Sequence, residues 1–133
     1  MTLQQKHIND IHSYFKNRHK VSYVILFGSG LKHLRPDSDV DLLLGGSVPF
    51  PDRLTYMADL ERCLGRKVDI VPVQSTFYDL ALQAFAYGRL IVTHNRNHLL
   101  RDYFRCRRAY DDNLPLQHIR AERLRRIFIH GQA

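Results

Sequence analysis

The chain of 133 residues lacks the features that identify several common protein classes. Its two cysteines, Cys63 and Cys106, stand far apart in predicted helices, so two free buried thiols are expected rather than a disulfide or a metal site. No apolar run approaches the roughly 18 residues of a membrane span, and the N-terminus lacks the apolar core of a signal peptide. A Walker-type loop and internal repeats are also missing. These absences favour a cytoplasmic, globular protein.

The charge of the chain is unevenly distributed. Apolar residues make up 44% and charged residues 25%, which is ordinary for a single globular domain. Residues 1–94 hold 11 Lys and Arg against 9 Asp and Glu, whereas residues 95–133 hold 9 against 4. The net charge of +7 therefore comes mainly from the C-terminal part. Such a basic tail could contact nucleic acid, an acidic partner protein or only solvent.

Two carboxylates stand at the start of an apolar segment, which is an unusual place for them. Val21–Phe27 is short and rich in Val, Ile and Phe, so it is predicted to be a buried strand. A second predicted strand, Asp39–Leu44, contains Asp39 and Asp41 two positions apart. Side chains with this spacing share one face of a strand, so both carboxylates can point at the same place. Because they repel unless a cation lies between them, the pair predicts a site for Mg²⁺.

The loop between these strands has residues suited to phosphate. Gly28 allows a sharp turn and the close approach of a ligand, and Ser29 can offer a hydroxyl and a backbone N–H group to phosphate. Gly30 adds a further backbone group, and Lys32 and Arg35 place positive charge beside the turn. Carboxylates that hold a metal, opposite a turn that binds phosphate, indicate chemistry on a nucleoside triphosphate. We therefore predict Gly28, Ser29, Gly30, Lys32 and Arg35 as nucleotide-binding residues.

These residues also resemble the signature of a known family. Gly28-Ser29, a spacer and then Ser38-Asp39-Val40-Asp41-Leu42 resemble the motif of the DNA polymerase beta-like nucleotidyltransferases, and the short chain is similar to their minimal (MNT) subgroup. The resemblance covers residues 20–93. It implies transfer of AMP from ATP to a hydroxyl group with the help of one or two Mg²⁺ ions. It further implies an antitoxin that pairs with a HEPN ribonuclease toxin and inactivates it by binding and by adding AMP to a toxin tyrosine.

A third acidic residue completes the predicted site. Asp69 lies in another apolar segment, and in the resembling family an acid on the neighbouring strand faces the aspartate pair. The resemblance implies that Asp69 either completes the metal site with Asp39 and Asp41 or accepts the proton of the attacking hydroxyl. An ordinary salt bridge from Asp69 to Arg66 or Lys67 is the alternative.

Three other interpretations remain open at this stage. Asp37-Ser38-Asp39 could be a solvated turn, although a turn does not explain Asp41 inside an apolar strand. The spacer between Ser29 and Asp39 is one residue shorter than is usual in the family, so the chain could also be an antitoxin without catalysis that acts by binding alone. Finally, the basic tail could bind nucleic acid, with affinity that falls steeply as salt increases.

The hydrophobic pattern predicts an α/β (α+β) fold: a small mixed sheet of about four strands with helices packed on it, as in the polymerase beta-like nucleotidyltransferases. We expect a single domain with a core over residues 1–94 and a helical tail over 95–133. The predicted helices cover 4–18, Asp52–Leu64 and Thr76–Tyr87, followed by two tail helices, one from the Asn95 cap to Tyr110 and one from Pro115 to Ile129. The predicted strands are Val21–Phe27, Asp39–Leu44, Lys67–Val73 and Leu90–Thr93.

Overall fold

The structure, a computed structural model, describes residues 3–28 and 39–130. The predicted nucleotide-binding residues Ser29, Gly30, Lys32 and Arg35 lie outside these ranges. Within them, the chain forms α1 (Leu3–Phe15), β1 (Val21–Phe27), β2 (Val40–Gly46), α2 (Phe50–Leu64), β3 (Val68–Pro72), a 3-10 turn (Val73–Ser75), α3 (Tyr78–Tyr87), β4 (Arg89–Thr93) and α4 (Arg96–His130).

The described strands form one mixed sheet in the order β3-β2-β1-β4. β2 and β3 are parallel, and α2 is the crossover that a parallel pair requires. β1 is antiparallel to both of its neighbours, β2 and β4. The predicted mixed sheet is therefore confirmed, and β3 and β4 are the edge strands among those described. The carboxyl end of β1 and the amino ends of β2 and β3 meet at the same end of the sheet, hereafter the acidic end.

Both faces of the sheet are covered by helices. On one face, α1 and α2 contribute Ile11, Phe15 and Leu60 to a core that includes Leu42 and Ile70 of the strands. On the other face, α3 and α4 pack on a second core formed by Tyr23, Ile25, Phe27, Leu43, Val73, Ala81, Ala84 and Cys106. β1 is covered on both faces and all seven of its residues are buried, which favours apolar residues at nearly every position. The exception is Ser22, whose hydroxyl lies 2.6 Å from Nδ1 of His98.

Helices α2 and α3 begin and pack differently from the prediction. α2 begins at Phe50 rather than Asp52, and Leu54 in it is 50% exposed, because α2 contacts the core through the stripe that contains Tyr56, Leu60 and Leu64. The predicted helix Thr76–Tyr87 includes Phe77, but Phe77 precedes α3 and is 86% exposed. The apolar periodicity predicts correctly that each helix exists, but it does not determine which side chains face the sheet.

The cysteine prediction was correct for one residue and wrong for the other. Both thiols are free, and Cys106 on α4 is buried against the sheet, as predicted. Cys63 is exposed instead, because it lies next to Leu64 on α2 but on the side of the helix that faces solvent. Burial raises the pKa of the Cys106 thiol, which keeps that side chain neutral inside the core.

The C-terminal segment forms one helix rather than two. α4 runs without interruption through Asp111 and Pro115, where a break had been predicted. Polar side chains in this region interact within the helix itself. The Asp111 carboxylate lies 3.4 Å from Nε of Arg107, and the Asn113 side chain donates a hydrogen bond to the carbonyl of Ala109. A proline inside a helix removes one backbone hydrogen bond and costs ~3 kcal/mol, yet α4 continues past Pro115 to His130. None of the described helices combines the length and apolar character needed to cross a lipid bilayer.

Candidate functional site

The backbone register brings two of the predicted acids together at the acidic end of the sheet. Asp41 is the second residue of β2, and in the parallel pairing its Cα is opposite that of Asp69 on β3. On its other side, Asp41 is opposite Phe27, the last residue of β1. Asp39 lies two positions before Asp41, just outside the strand, and is exposed. The three carboxylates therefore lie at the same end of two adjacent strands, with Asp39 and Asp41 at the start of β2 and Asp69 at the start of β3.

The electrostatic environment of Asp41 reflects this crowding. Burial raises the pKa of the Asp41 carboxyl, and the negative charges of Asp69 and then Asp39 raise it further. Both causes disfavour the ionised form, so an ionised Asp41 gains stability from a nearby cation. Carboxylate oxygens are the protein ligands that Mg²⁺ prefers, and it needs only one or two of them. The donor set of Asp39 and Asp41 therefore fits a magnesium ion.

Asp69 is held differently from the other two acids. One Nη atom of Arg53, on α2, lies 3.9 Å from Oδ1 of Asp69, and the Asp69 side chain is 51% exposed. An ion pair of this length and exposure is weak. The predicted alternative partners were Arg66 and Lys67, whereas the ion pair in the structure comes from Arg53, which the sequence analysis missed. In the described ranges, no group of three His, Cys, Asp or Glu side chains is arranged to hold a metal ion as the side chains stand.

Gly28, directly after β1, borders the acidic site on the side of that strand. Its φ of +85° is a backbone conformation that other residues rarely adopt. A Cβ atom added to Gly28 would lie 2.5 Å from Oδ2 of Asp41, so only glycine leaves room for the carboxylate. The residues that follow in the predicted phosphate-binding turn, from Ser29 onward, are outside the described part of the chain.

A cavity of about 410 Å³ extends from these residues toward α3. It is lined by Phe27, Gly28, Asp41, Leu80, Gln83, Tyr87 and Gly88. Gln83 and Tyr87 are not among the residues predicted from the sequence, because the apolar pattern of their segment indicates only a helix that packs on the sheet. The topology of the sheet explains why these two residues lie near the acids. α3 leads directly into β4, and Arg89 at the start of β4 pairs with Leu26 near the end of β1. The end of α3 must therefore lie beside Gly28.

Comparison with known proteins gives a family and a set of similar structures. The family described as "Polymerase beta, Nucleotidyltransferase" matches residues 9–97. Among curated proteins, none matches the chain by sequence.

Three solved structures illustrate the structural similarity. A chain of the MntA–HepT toxin–antitoxin has 22% identity and a TM-score of 0.64, covering 97% of this chain and 99% of that one. A toxin–antitoxin with AMP-PNP has 24% identity and a TM-score of 0.65, covering 95% and 98%. A complex of a tri-AMPylated Shewanella oneidensis HEPN toxin with an MNT antitoxin has 22% identity and a TM-score of 0.65, covering 98% and 99%. At these identities the similarity shows a shared fold.

Proposed function

Because the chain belongs to the polymerase beta nucleotidyltransferase family, we propose that it transfers AMP from ATP to a hydroxyl group of a partner protein. The observation that supports this most strongly is the crowding of Asp41 by Asp69 and Asp39 next to Gly28. Carboxylates arranged in this way are unfavourable unless they serve to bind a cation. The adjacent cavity offers space for the nucleotide that such a cation would accompany.

The catalytic roles follow from the positions of the acids. Asp39 and Asp41 are proposed to hold one or two Mg²⁺ ions. When bound, the ions would supply positive charge that stabilises the in-line transfer of AMP. Asp41 is fixed by its strand and by the Gly28 backbone, so its carboxylate needs little reorganisation. Asp69 is proposed to complete this acidic site, either as a further ligand or as acceptor of the hydroxyl proton. Its exposed position gives it access to an incoming group.

The phosphate contacts are proposed for the turn that follows β1. Backbone groups of Gly28 and Gly30 and the hydroxyl of Ser29 are suited to hold the leaving pyrophosphate. Lys32 and Arg35 would add positive charge there. The position of Gly28 against Asp41 supports this assignment, because the turn must start beside the central carboxylate.

We further propose that the partner is a HEPN-type toxin, that the acceptor is one of its tyrosines, and that the pair acts in the cytoplasm. The similarity to structures of MntA–HepT and of an AMPylated HEPN toxin with its antitoxin supports this choice. The exposed arginines of α4, Arg123, Arg125 and Arg126, are our candidate docking surface. Arg125 and Arg126 are each paired with Glu122, at 3.1 and 3.7 Å, so an acidic partner would compete with that carboxylate.

The test is transfer of labelled AMP. The chain and its partner are incubated with ATP labelled at the α-phosphate, with Mg²⁺ or with a chelator. Label is expected on the partner only with Mg²⁺, and Asp39→Asn or Asp41→Asn should abolish it. Asp112→Asn, which removes an exposed carboxylate on α4, is the matched control and should transfer normally. Normal labelling by Asp41→Asn would refute the catalytic assignment, and a stable complex without any label would favour neutralisation by binding alone.

A further inference from the structure

The cavity beside Asp41 has two chemically different ends. At one end lie Gly28 and Asp41, which belong to the acidic site. At the other end α3 contributes Leu80, Gln83 and Tyr87, none of which carries a charge at neutral pH. Among the described residues that line this cavity, Asp41 alone has a charged side chain. The end of the cavity along α3 therefore suits an uncharged ligand group better than a phosphate. A flat ring with polar atoms along its edge fits these side chains.

Tyr87 and Gln83 offer an aromatic face and an amide, the two kinds of group that bind a nucleobase. Tyr87 is the last residue of α3 and is 82% exposed, so the face of its ring is accessible. Aromatic faces stack on bases of any sequence. Gln83, also exposed, lies one helical turn earlier on the same side of α3, and its amide presents one donor and one acceptor group. Such an amide can pair with the amino group and the ring nitrogen of adenine.

We propose that this end of the cavity binds the nucleoside of the triphosphate, with the base stacked on Tyr87 and its polar edge hydrogen-bonded to Gln83. The proposal rests on the proposed function, because it assumes that a nucleotide is the substrate of the acidic site. The apolar side chains of Phe27 and Leu80 form the wall along which the sugar lies. The volume of about 410 Å³ is within the range of ~300–1,000 Å³ typical of small-molecule sites.

The position of Gly28 favours the nucleoside over the acceptor hydroxyl as occupant. In an in-line displacement, the attacking and leaving oxygens lie on opposite sides of the phosphorus. The cavity includes Gly28, at the turn proposed for the leaving pyrophosphate. The acceptor is therefore expected to approach from the opposite side, near the exposed Asp69. The nucleoside, joined to the same phosphate, occupies the space that remains next to Asp41.

The test compares the binding of ATP with the binding of inorganic tripolyphosphate, which has the phosphates without the nucleoside. Calorimetric titrations in Mg²⁺ are made with the full chain and its variants. Tyr87→Ala is expected to weaken ATP binding about tenfold and to leave tripolyphosphate binding unchanged. Tyr87→Phe should bind ATP nearly as well as the wild type, since it keeps the ring. Gln83→Leu should weaken ATP binding selectively as well.

Phe77→Ala is the matched control. Phe77 precedes α3 and is 86% exposed, comparable with Tyr87, but it does not line this cavity. Its removal should leave the binding of both ligands unchanged. The proposal would be overturned if Tyr87→Ala bound ATP as tightly as the wild type does. This holds also if the variant had lost AMP transfer to the acceptor, because Tyr87 would then act on the acceptor and not on the nucleoside. If the wild type binds neither ligand, the proposed function fails as well, so the two failures are distinguishable.

Discussion

The Asp41 carboxylate fills the space that a side chain at Gly28 would need: a Cβ atom at Gly28 would lie 2.5 Å from Oδ2 of Asp41. This close fit joins the end of β1 to the start of β2 across their antiparallel pairing. It leaves the central acid of the site little freedom to move toward β1. A side chain at position 28 would therefore act first on the geometry of Asp41.

The first prediction concerns Gly28→Ala. The added methyl group displaces the Asp41 carboxylate and also strains a backbone with φ of +85°. We expect transfer of AMP to fall at least tenfold while the protein stays folded, as measured by labelling and circular dichroism. Gly65→Ala is the control, because Gly65 also has a positive φ of +67° but its Cβ would meet nothing within 4 Å. That variant should lose about 1 kcal/mol of stability and keep its activity.

The second prediction concerns the pH dependence of stability without metal. The pKa of Asp41 is higher in the folded than in the unfolded chain. Above the ordinary pKa of a carboxyl, about 4, the folded state therefore binds more protons than the unfolded state until the raised pKa is passed. Through this window the free energy of unfolding of the wild type falls as pH rises.

Asp41→Asn cannot titrate, so its melting temperature should depend less on pH and should exceed that of the wild type by a few degrees at neutral pH. Adding Mg²⁺ should raise the melting temperature of the wild type and leave that of Asp41→Asn almost unchanged. Melting curves in buffers from acidic to neutral pH measure both effects. A wild type that is more stable than Asp41→Asn at neutral pH in the absence of metal would contradict the prediction.

The third prediction concerns Arg53, whose guanidinium group lies 3.9 Å from Asp69. Arg53→Met keeps an unbranched apolar side chain in place of the arginine stem and removes the charge, so the acidic site becomes more negative. We expect the affinity for Mg²⁺ to rise by about twofold to fivefold, in line with the strength of an exposed ion pair. Titration with Mn²⁺, followed by the relaxation of water protons, measures the change. Arg62→Met, which breaks the exposed pair with Asp59 on the same helix, should leave the affinity unchanged.

The fourth prediction concerns truncation of α4. The Tyr23 hydroxyl donates to Oδ2 of Asp102 at 2.8 Å, and both residues are buried. A chain ending at His94 loses this bond and exposes the Tyr23 ring, so we expect it to aggregate. A chain ending at Asn113 keeps the buried residues Asp102 and Cys106 and should unfold cooperatively. Size-exclusion chromatography and thermal melts distinguish the two. A soluble, folded chain of residues 1–94 would show that α4 is dispensable for the core.

The strands were the most predictable part of the fold. Val21–Phe27 was predicted to the residue, because a short apolar run bounded by polar residues leaves little choice. The helix faces were less predictable, since Leu54 and Phe77 are apolar yet exposed, and apolar side chains on a surface are common. The break predicted near Asp111 failed because local propensity was outweighed by contacts within a long helix, such as the pair with Arg107.

The site could be anticipated only where it depends on local spacing. Asp39 and Asp41 are two positions apart, so they lie near each other along the chain even though Asp39 stands just outside β2. The placement of Asp69 opposite Asp41 depends on the parallel register of β2 and β3, which the sequence alone does not specify. Gln83 and Tyr87 approach the site only because α3 returns to the end of β1, and that return is a property of the whole topology.

The pairing of β1 also determines when the site can form during synthesis. β1 is complete once Phe27 has been made, but its partner β4 does not begin until Arg89, and the bond from Tyr23 to Asp102 spans 79 positions. Contacts so distant along the chain slow folding, because the intervening segment must be ordered first. Nascent chains on the ribosome should therefore expose the apolar β1 strand until most of the protein has emerged. We expect folding of the acidic site to be one of the last events of translation.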